Sequence, residues 1–239
     1  MKKIYFLLLA TILIASCKPG SKTNKRSEGK PVITVTLEPL RYFTEAIAGD
    51  RFTVVSMVPK GTSPETYDPT PQQLVELARS KAYFRIGYIG FEQTWTDKLT
   101  DNAPHLQFFD MSQGVDLIYD DTHVHHHATN KEEHQHAIGV EPHIWNSAVN
   151  AQIIAGNILN ALRNIDKGNE DFYLERYNTL CRKIEHTDSL IRQTLATPGA
   201  DHAFMIYHPA LSYFARDYGL HQIPIEAGGK EPSPAHLKA

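Results

Sequence analysis

"VITVTLEPLRYFTEAIAGDRFTVVSMV", residues 32–58, decides the fold class. Val32 to Leu37 is a β-branched run bounded by charge and proline, Leu40 to Ala48 has the spacing of a short helix, and Phe52 to Val58 is a second β-branched run. Strand, helix and strand in that order call for a crossover connection, and crossovers build parallel sheets covered on both faces. The chain is therefore expected to be α/β.

The same alternation extends outward. After a proline-rich loop from Pro59 to Pro69, Thr70 can cap a helix, Pro71 suits its first turn, and Leu74, Leu77 and Ala78 share one face. Ala82 to Ile86 and Leu106 to Phe109 read as further strands. A long polar insertion, residues 112–142, interrupts the rhythm. Two helices follow. Ser147 to Ile165 carries Ile153, Ile154, Ile158, Leu162 and Ile165 on its buried side, and Glu170 to Leu195 carries Tyr173, Tyr177, Leu180, Ile184, Ile191 and Leu195, with Asn169 as its cap. The second helix, at about 1.5 Å per residue, is close to 40 Å long, enough to bridge two lobes.

Beyond Pro198-Gly199 the alternation resumes with a strand from Phe204 to Tyr207, a helix from Ala210 to Tyr218 closed by Gly219, and a strand from Gln222 to Ile225. The expected organisation is an N-terminal α/β lobe over 31–168, a linking helix over 169–197 and a C-terminal α/β lobe over 200–239. Two strands and one helix do not cover both faces of a sheet, and "PSPAHLKA" reads as a helix start. The second lobe is therefore expected to be incomplete.

The other end carries an export signal. Lys2 and Lys3 precede twelve mostly apolar residues, Ile4 to Ala15, too few for the roughly 20 that a membrane-spanning helix needs. Residues 1–16 are read as a signal peptide, and residues 17–30, nearly devoid of apolar side chains, as a flexible tether. No other membrane-spanning run is present. Removing Lys2 and Lys3 takes the formal charge from −3 to −5, which argues against nucleic acid because a phosphate backbone calls for a clustered basic face. Cys181 falls beside Tyr177 and Ile184 at helical spacing and reads as a half-buried structural thiol.

Parallel sheets bind ligands beyond the carboxyl ends of their strands, and three loops that follow strands carry candidate metal ligands. Glu65 lies in "GTSPETYDPT", His143 in "GVEPHIWN" and His208 in "FMIYHPALSYF". Taken singly, each also fits an ordinary loop or helix-start residue, and spacing alone does not choose. "HVHHHATNKEEHQH", residues 123–136, adds His123, His125, His126, His127, His134 and His136. An ordered centre made from so flexible a tract would have to overcome its chain entropy.

The local patterns taken together resemble the metal-binding proteins of zinc and manganese ABC importers. They are Pro64-Glu65-Thr66-Tyr67-Asp68-Pro69-Thr70, Glu141-Pro142-His143-Ile144-Trp145, Tyr207-His208 leading into "YFARDYGL", and "GGKEPSPAHL" at 228–237, with "GYIGFEQTWTDKL" and "DMSQGVDL" in corresponding places. The end of the signal, Ile14-Ala15-Ser16-Cys17, resembles a lipobox, which implies lipidation of Cys17; an ordinary signal with an incidental cysteine is the alternative. The resemblance implies two lobes with mainly parallel sheets joined by a long rigid helix, and a four-ligand metal site in the cleft between them. By position the ligands are Glu65, His143 and His208, and the fourth, an acid, would lie past Ala239. The histidine tract, residues 120–137 in all, is implied to be an auxiliary loop that captures, delivers or senses zinc.

Two imidazoles with carboxylates suit a closed zinc site. Glu65 stands where zinc-type members usually have histidine, and its oxygen shifts preference toward manganese or iron(II). Zinc is the first choice, with Mn2+ or Fe2+ as alternatives. The expected function is an exported, membrane-anchored, monomeric receptor on the periplasmic or extracellular face that gives the ion to an ABC permease without chemistry. A zinc hydrolase would need an open coordination position and a nearby base, and no HExxH helix is present. A histidine-rich buffer or adhesin would bind through the tract alone.

Overall fold

The computed structural model describes residues 29–64, 67–119 and 139–226. The opening unit is β1 (Val32–Val35), α1 (Glu38–Ala48) and β2 (Thr53–Ser56), with β1 and β2 parallel and Val32 opposite Thr53. α2 (Pro71–Ala78), β3 (Ala82–Arg85), α3 (Gly90–Asn102) and β4 (Gln107–Asp110) complete an all-parallel sheet of order β2-β1-β3-β4. Ile33, Thr34 and Val35 are all buried, so β1 is covered on both faces, as the run of β-branched residues requires. The one polar member of that trio is satisfied: Thr34 Oγ1 meets Ser80 Oγ at 2.7 Å.

α1 begins two residues before its apolar run because Pro39 fits the first turn, where its missing N–H costs nothing. Leu40, Thr44, Ile47 and Ala48 form its buried face. Gly49 then ends it at φ 58°, and a Cβ there would lie 2.9 Å from Phe172 Cζ and 2.9 Å from Arg176 Nε. Thr70 closes a capping box with Gln73 on α2, and Gln73 Nε2 also donates to the Met57 carbonyl at 3.1 Å.

The helix α3 has little periodicity of its own and is tied down in its first turn by a buried carboxylate. Glu92, 1% exposed, accepts the N–H of Ile86 at 2.8 Å together with that of Gly87 and the hydroxyl of Thr36. Tyr83 in turn donates to Thr36 Oγ1 at 2.6 Å. This network fills the crevice between the carboxyl ends of β1 and β3, where the chain switches sides of the sheet and where open α/β sheets ordinarily hold ligands. Burial raises the carboxyl pKa of Glu92 and drives that of Tyr83 well above its ordinary value.

α4 (Ala148–Ile165) is capped by Ser147, whose Oγ accepts the Asn150 N–H at 3.0 Å, and buries Ile154, Ile158 and Leu162. Ile153 and Ile165 are only half-buried at the edge of that stripe. α5 (Glu170–Leu195) has the predicted bounds and packs along α4 and α1 through Tyr173, Leu180 and Ile184. Asn169 precedes it without capping by its side chain, which donates instead to Asp166 at 2.9 Å. Cys181 is half-buried on α5 beside Tyr177.

The second lobe follows, with β5 (Ala203–Ile206), α6 (Ser212–Tyr218) and β6 (His221–Pro224). β5 and β6 are parallel, and Gly219 closes α6 at φ 63°. Met205, Tyr207 and Ile223 remain exposed on this sheet. The far end of α5 reaches the second lobe, where Tyr218 donates to Asp188 Oδ1 at 2.7 Å and Arg192 holds the other oxygen at 2.9 Å. Among the described residues, no helix is long and apolar enough to cross a membrane.

Candidate metal centre

His143 is set by the turn that enters α4. Glu141 Oε1 accepts the His143 backbone N–H at 2.9 Å and the ring Nδ1–H as well, so one carboxylate oxygen fixes both the backbone and the imidazole. Pro142 between them restricts the turn, and a single helical turn, Ile144–Asn146, follows directly. The ring is nearly enclosed, with the Trp145 ring centroid 5.2 Å from its own and the two planes at 64°.

The second lobe holds this turn from outside. Tyr213, fully buried on α6, donates to the Glu141 carbonyl at 2.8 Å and accepts the Ile118 N–H at 3.1 Å. Burial pushes its phenol up to about 12. Asn146 Nδ2 donates to the Ala210 carbonyl at 2.8 Å, Ser147 donates to Asp217, and Arg216 donates to the Asp116 carbonyl at 2.7 Å.

His208 leaves the end of β5, and its Nδ1 lies 3.0 Å from Glu226 Oε2. Glu226 is held opposite it by an extension of the β5–β6 ladder. The Ile225 N–H donates to Ile206 O at 2.8 Å and the Glu226 N–H to Tyr207 O at 2.9 Å.

These two supports bring the imidazoles together. His143 Nε2 and His208 Nε2 are 3.3 Å apart, with ring centroids separated by 5.0 Å. Both Nδ1 atoms face carboxylate oxygens, so in the neutral rings the protons sit on Nδ1 and the Nε2 lone pairs point at each other. Opposed lone pairs repel unless a cation or a proton lies between them. Two imidazole nitrogens each about 2.05 Å from one tetrahedral ion stand about 3.3 Å apart, so the pair fits a divalent metal without rearrangement.

Of the residues singled out from sequence, His143 and His208 meet here. Among the described residues no group of three or more His, Cys, Asp or Glu side chains is arranged to hold a metal ion. Glu65 lies outside the described residues, as do Cys17 and His123, His125, His126, His127, His134 and His136. Pro64, the neighbour of Glu65, lines the same first-lobe cavity as Trp145. Sequence reading missed the partner roles of Glu141 and Glu226 and the clamp made by Tyr213. Glu141 carries a local signal, an acid two residues before a histidine across a proline; Glu226 carries none, because the β5–β6 register alone puts it there.

Fold and centre together define a two-lobed α/β protein with paired imidazoles at the junction of its lobes. The chain belongs to the family described as zinc-uptake complex component A, periplasmic (ZnuA), whose sequence model matches residues 33–239. It is a family of solute-binding receptors, not of enzymes. Among its relatives, the high-affinity zinc uptake system protein ZnuA of Bacillus subtilis (strain 168) is 27% identical over 240 residues, covering 98% of this chain and 74% of that protein. The manganese ABC transporter substrate-binding lipoprotein PsaA of Streptococcus anginosus is 29% identical over 231 residues, covering 92% and 70%. A crystal structure of ZnuA superposes with a TM-score of 0.77 at 36% identity, covering 87% of this chain and 76% of that one.

Proposed function

We propose that this chain is an exported receptor that captures one divalent metal ion, zinc in first place, at His143 and His208 and delivers it to an ABC permease. The observation that carries this reading is the 3.3 Å approach of the two Nε2 atoms with both Nδ1 atoms engaged by carboxylates. Glu65 is the third ligand in this reading, supported by its neighbour Pro64 lining a first-lobe cavity together with Trp145, two residues from His143. Ligands from both lobes mean that the ion joins them, so that loaded and empty receptor differ in the surface offered to the permease. Lipidation at Cys17, with residues 18–30 as tether, would hold the receptor at the membrane face.

The histidine tract is assigned an auxiliary role in collecting zinc. The described residues on either side of it, Tyr119 and Val140, pair as an antiparallel bridge, and Val140 is three residues before His143. Manganese is the second reading, favoured by the carboxylate at Glu65 and by relatives named for manganese.

Competition titration against a zinc chelator tests the assignment. His143→Ala and His208→Ala should each weaken binding severely while deletion of residues 120–137 leaves tight binding in place; tight binding unchanged by both substitutions would sink it. Elemental analysis of protein purified without added metal decides between zinc and manganese.

A further inference from the structure

We infer that Glu141 and Glu226 are the positioning residues of this centre: each accepts a hydrogen bond from the Nδ1–H of one histidine, keeps the proton there and so presents the Nε2 lone pair to the ion. The inference rests on the reading of His143 and His208 as ligands.

A neutral imidazole carries one proton, and which nitrogen holds it is set by the hydrogen bond the other makes. A metal needs the unprotonated nitrogen. Were Nδ1 of His143 left in an apolar setting, the proton could reside on Nε2, where it would block the site; the carboxylate at Nδ1 removes that option. The same holds for His208 against Glu226 at 3.0 Å. Each carboxylate also pushes electron density onto its ring and makes Nε2 a stronger donor.

Both supports are built into backbone geometry. Glu141 Oε1 spans the turn to the His143 N–H and ring, and the Glu141 carbonyl is itself held by Tyr213. Glu226 is placed by the N–H bonds of residues 225 and 226 to the carbonyls of Ile206 and Tyr207, immediately before His208. The side chains of Glu141 and His143 are 13% and 10% exposed, so water competes little for that hydrogen bond; Glu226 is likewise 13% exposed, while His208 is 40% exposed. One support is carried by each lobe, which makes the centre two pre-aligned half-sites. Two nearby negative charges also lower the cost of admitting a divalent cation to a partly buried position.

The test uses the full chain. Zinc affinity is measured by chelator competition for Glu141→Ala, Glu226→Ala and the corresponding Gln variants, and the histidine tautomers of the metal-free proteins are read from imidazole 15N chemical shifts. Loss of either support should weaken zinc by about 10–100-fold and move the proton of the cognate histidine from Nδ1 toward Nε2, leaving the other ring unchanged. Glutamine, whose amide oxygen can still accept the Nδ1 proton, should restore the tautomer and part of the affinity. It also decides the matter if an alanine variant fails to fold. Affinities within twofold of wild type in the supports' variants, or tautomers that do not respond, would overturn the inference. If His143→Ala and His208→Ala also left zinc binding intact, the ligand assignment itself would fall; if only the glutamate variants did so, the ligands would stand and the positioning role alone would fail.

Discussion

Tyr213 of the second lobe donates to the main-chain carbonyl of Glu141 in the first, at 2.8 Å, two residues from the imidazole of His143. The same hydroxyl accepts the Ile118 N–H at 3.1 Å, so one buried phenol ties the segment at Ile118 to the turn that carries His143. Tyr213→Phe would orphan a carbonyl and an N–H at a cost of about 1–3 kcal/mol each. Thermal denaturation should show the loss of stability, and zinc titration should show weaker binding although the substituted residue touches no metal.

His143 and His208 are expected to act on one ion. In a double-mutant cycle, His143→Ala with His208→Ala should then lower zinc affinity by much less than the two single effects summed. Additive losses in chelator competition would mean two separate sites.

Glu92 gives a pH dependence whose sign is fixed. Its folded pKa lies above the ordinary 4.5, chiefly through burial, so the folded state binds more protons than the unfolded one across that interval. Stability contributed by this group is therefore present at lower pH and falls as pH rises through the window. Glu92→Gln removes the titration. Urea denaturation across a pH series should show the stability of wild type relative to the variant declining upward from pH 4.5, and a difference that rises with pH would contradict the buried-carboxyl account.

Gly49 closes α1 against α5 at φ 58°, with Phe172 Cζ and Arg176 Nε both 2.9 Å from where a Cβ would be. Gly49→Ala adds backbone strain of about 1–3 kcal/mol and pushes on Arg176, whose Nε holds the Ala46 carbonyl at 3.0 Å. The denaturation midpoint should fall accordingly, with zinc affinity of the remaining folded protein little changed.

Much of the fold was legible because its elements are locally self-consistent. Glu170–Leu195 carries an apolar stripe and appears with those bounds. Thr70 and Ser147 cap where their side chains can reach the next turn. The strands from Val32 and Phe52 pair in parallel as their crossover requires, although Thr53–Ser56 is shorter than the expected 52–58; Met57 and Val58 still donate to Val35 and Thr36. The helix Gly90–Asn102 was not legible. Its sequence has no clean apolar period, and what starts it is a carboxylate bound to N–H groups of the preceding loop.

Sequence by itself determined the α/β class, the parallel sheet and the linking helix, and it singled out His143 and His208 as candidates, since hydrophobic period, caps and strand-end loops are properties of neighbouring residues. Tertiary structure alone decided that His143 and His208, 65 residues apart, face each other through Nε2, and that Glu141, Glu226 and Tyr213 hold them so. Tautomer and direction are set by hydrogen bonds between segments distant in the chain, and no local pattern encodes a partner that only the β5–β6 register or the packing of α6 brings within reach.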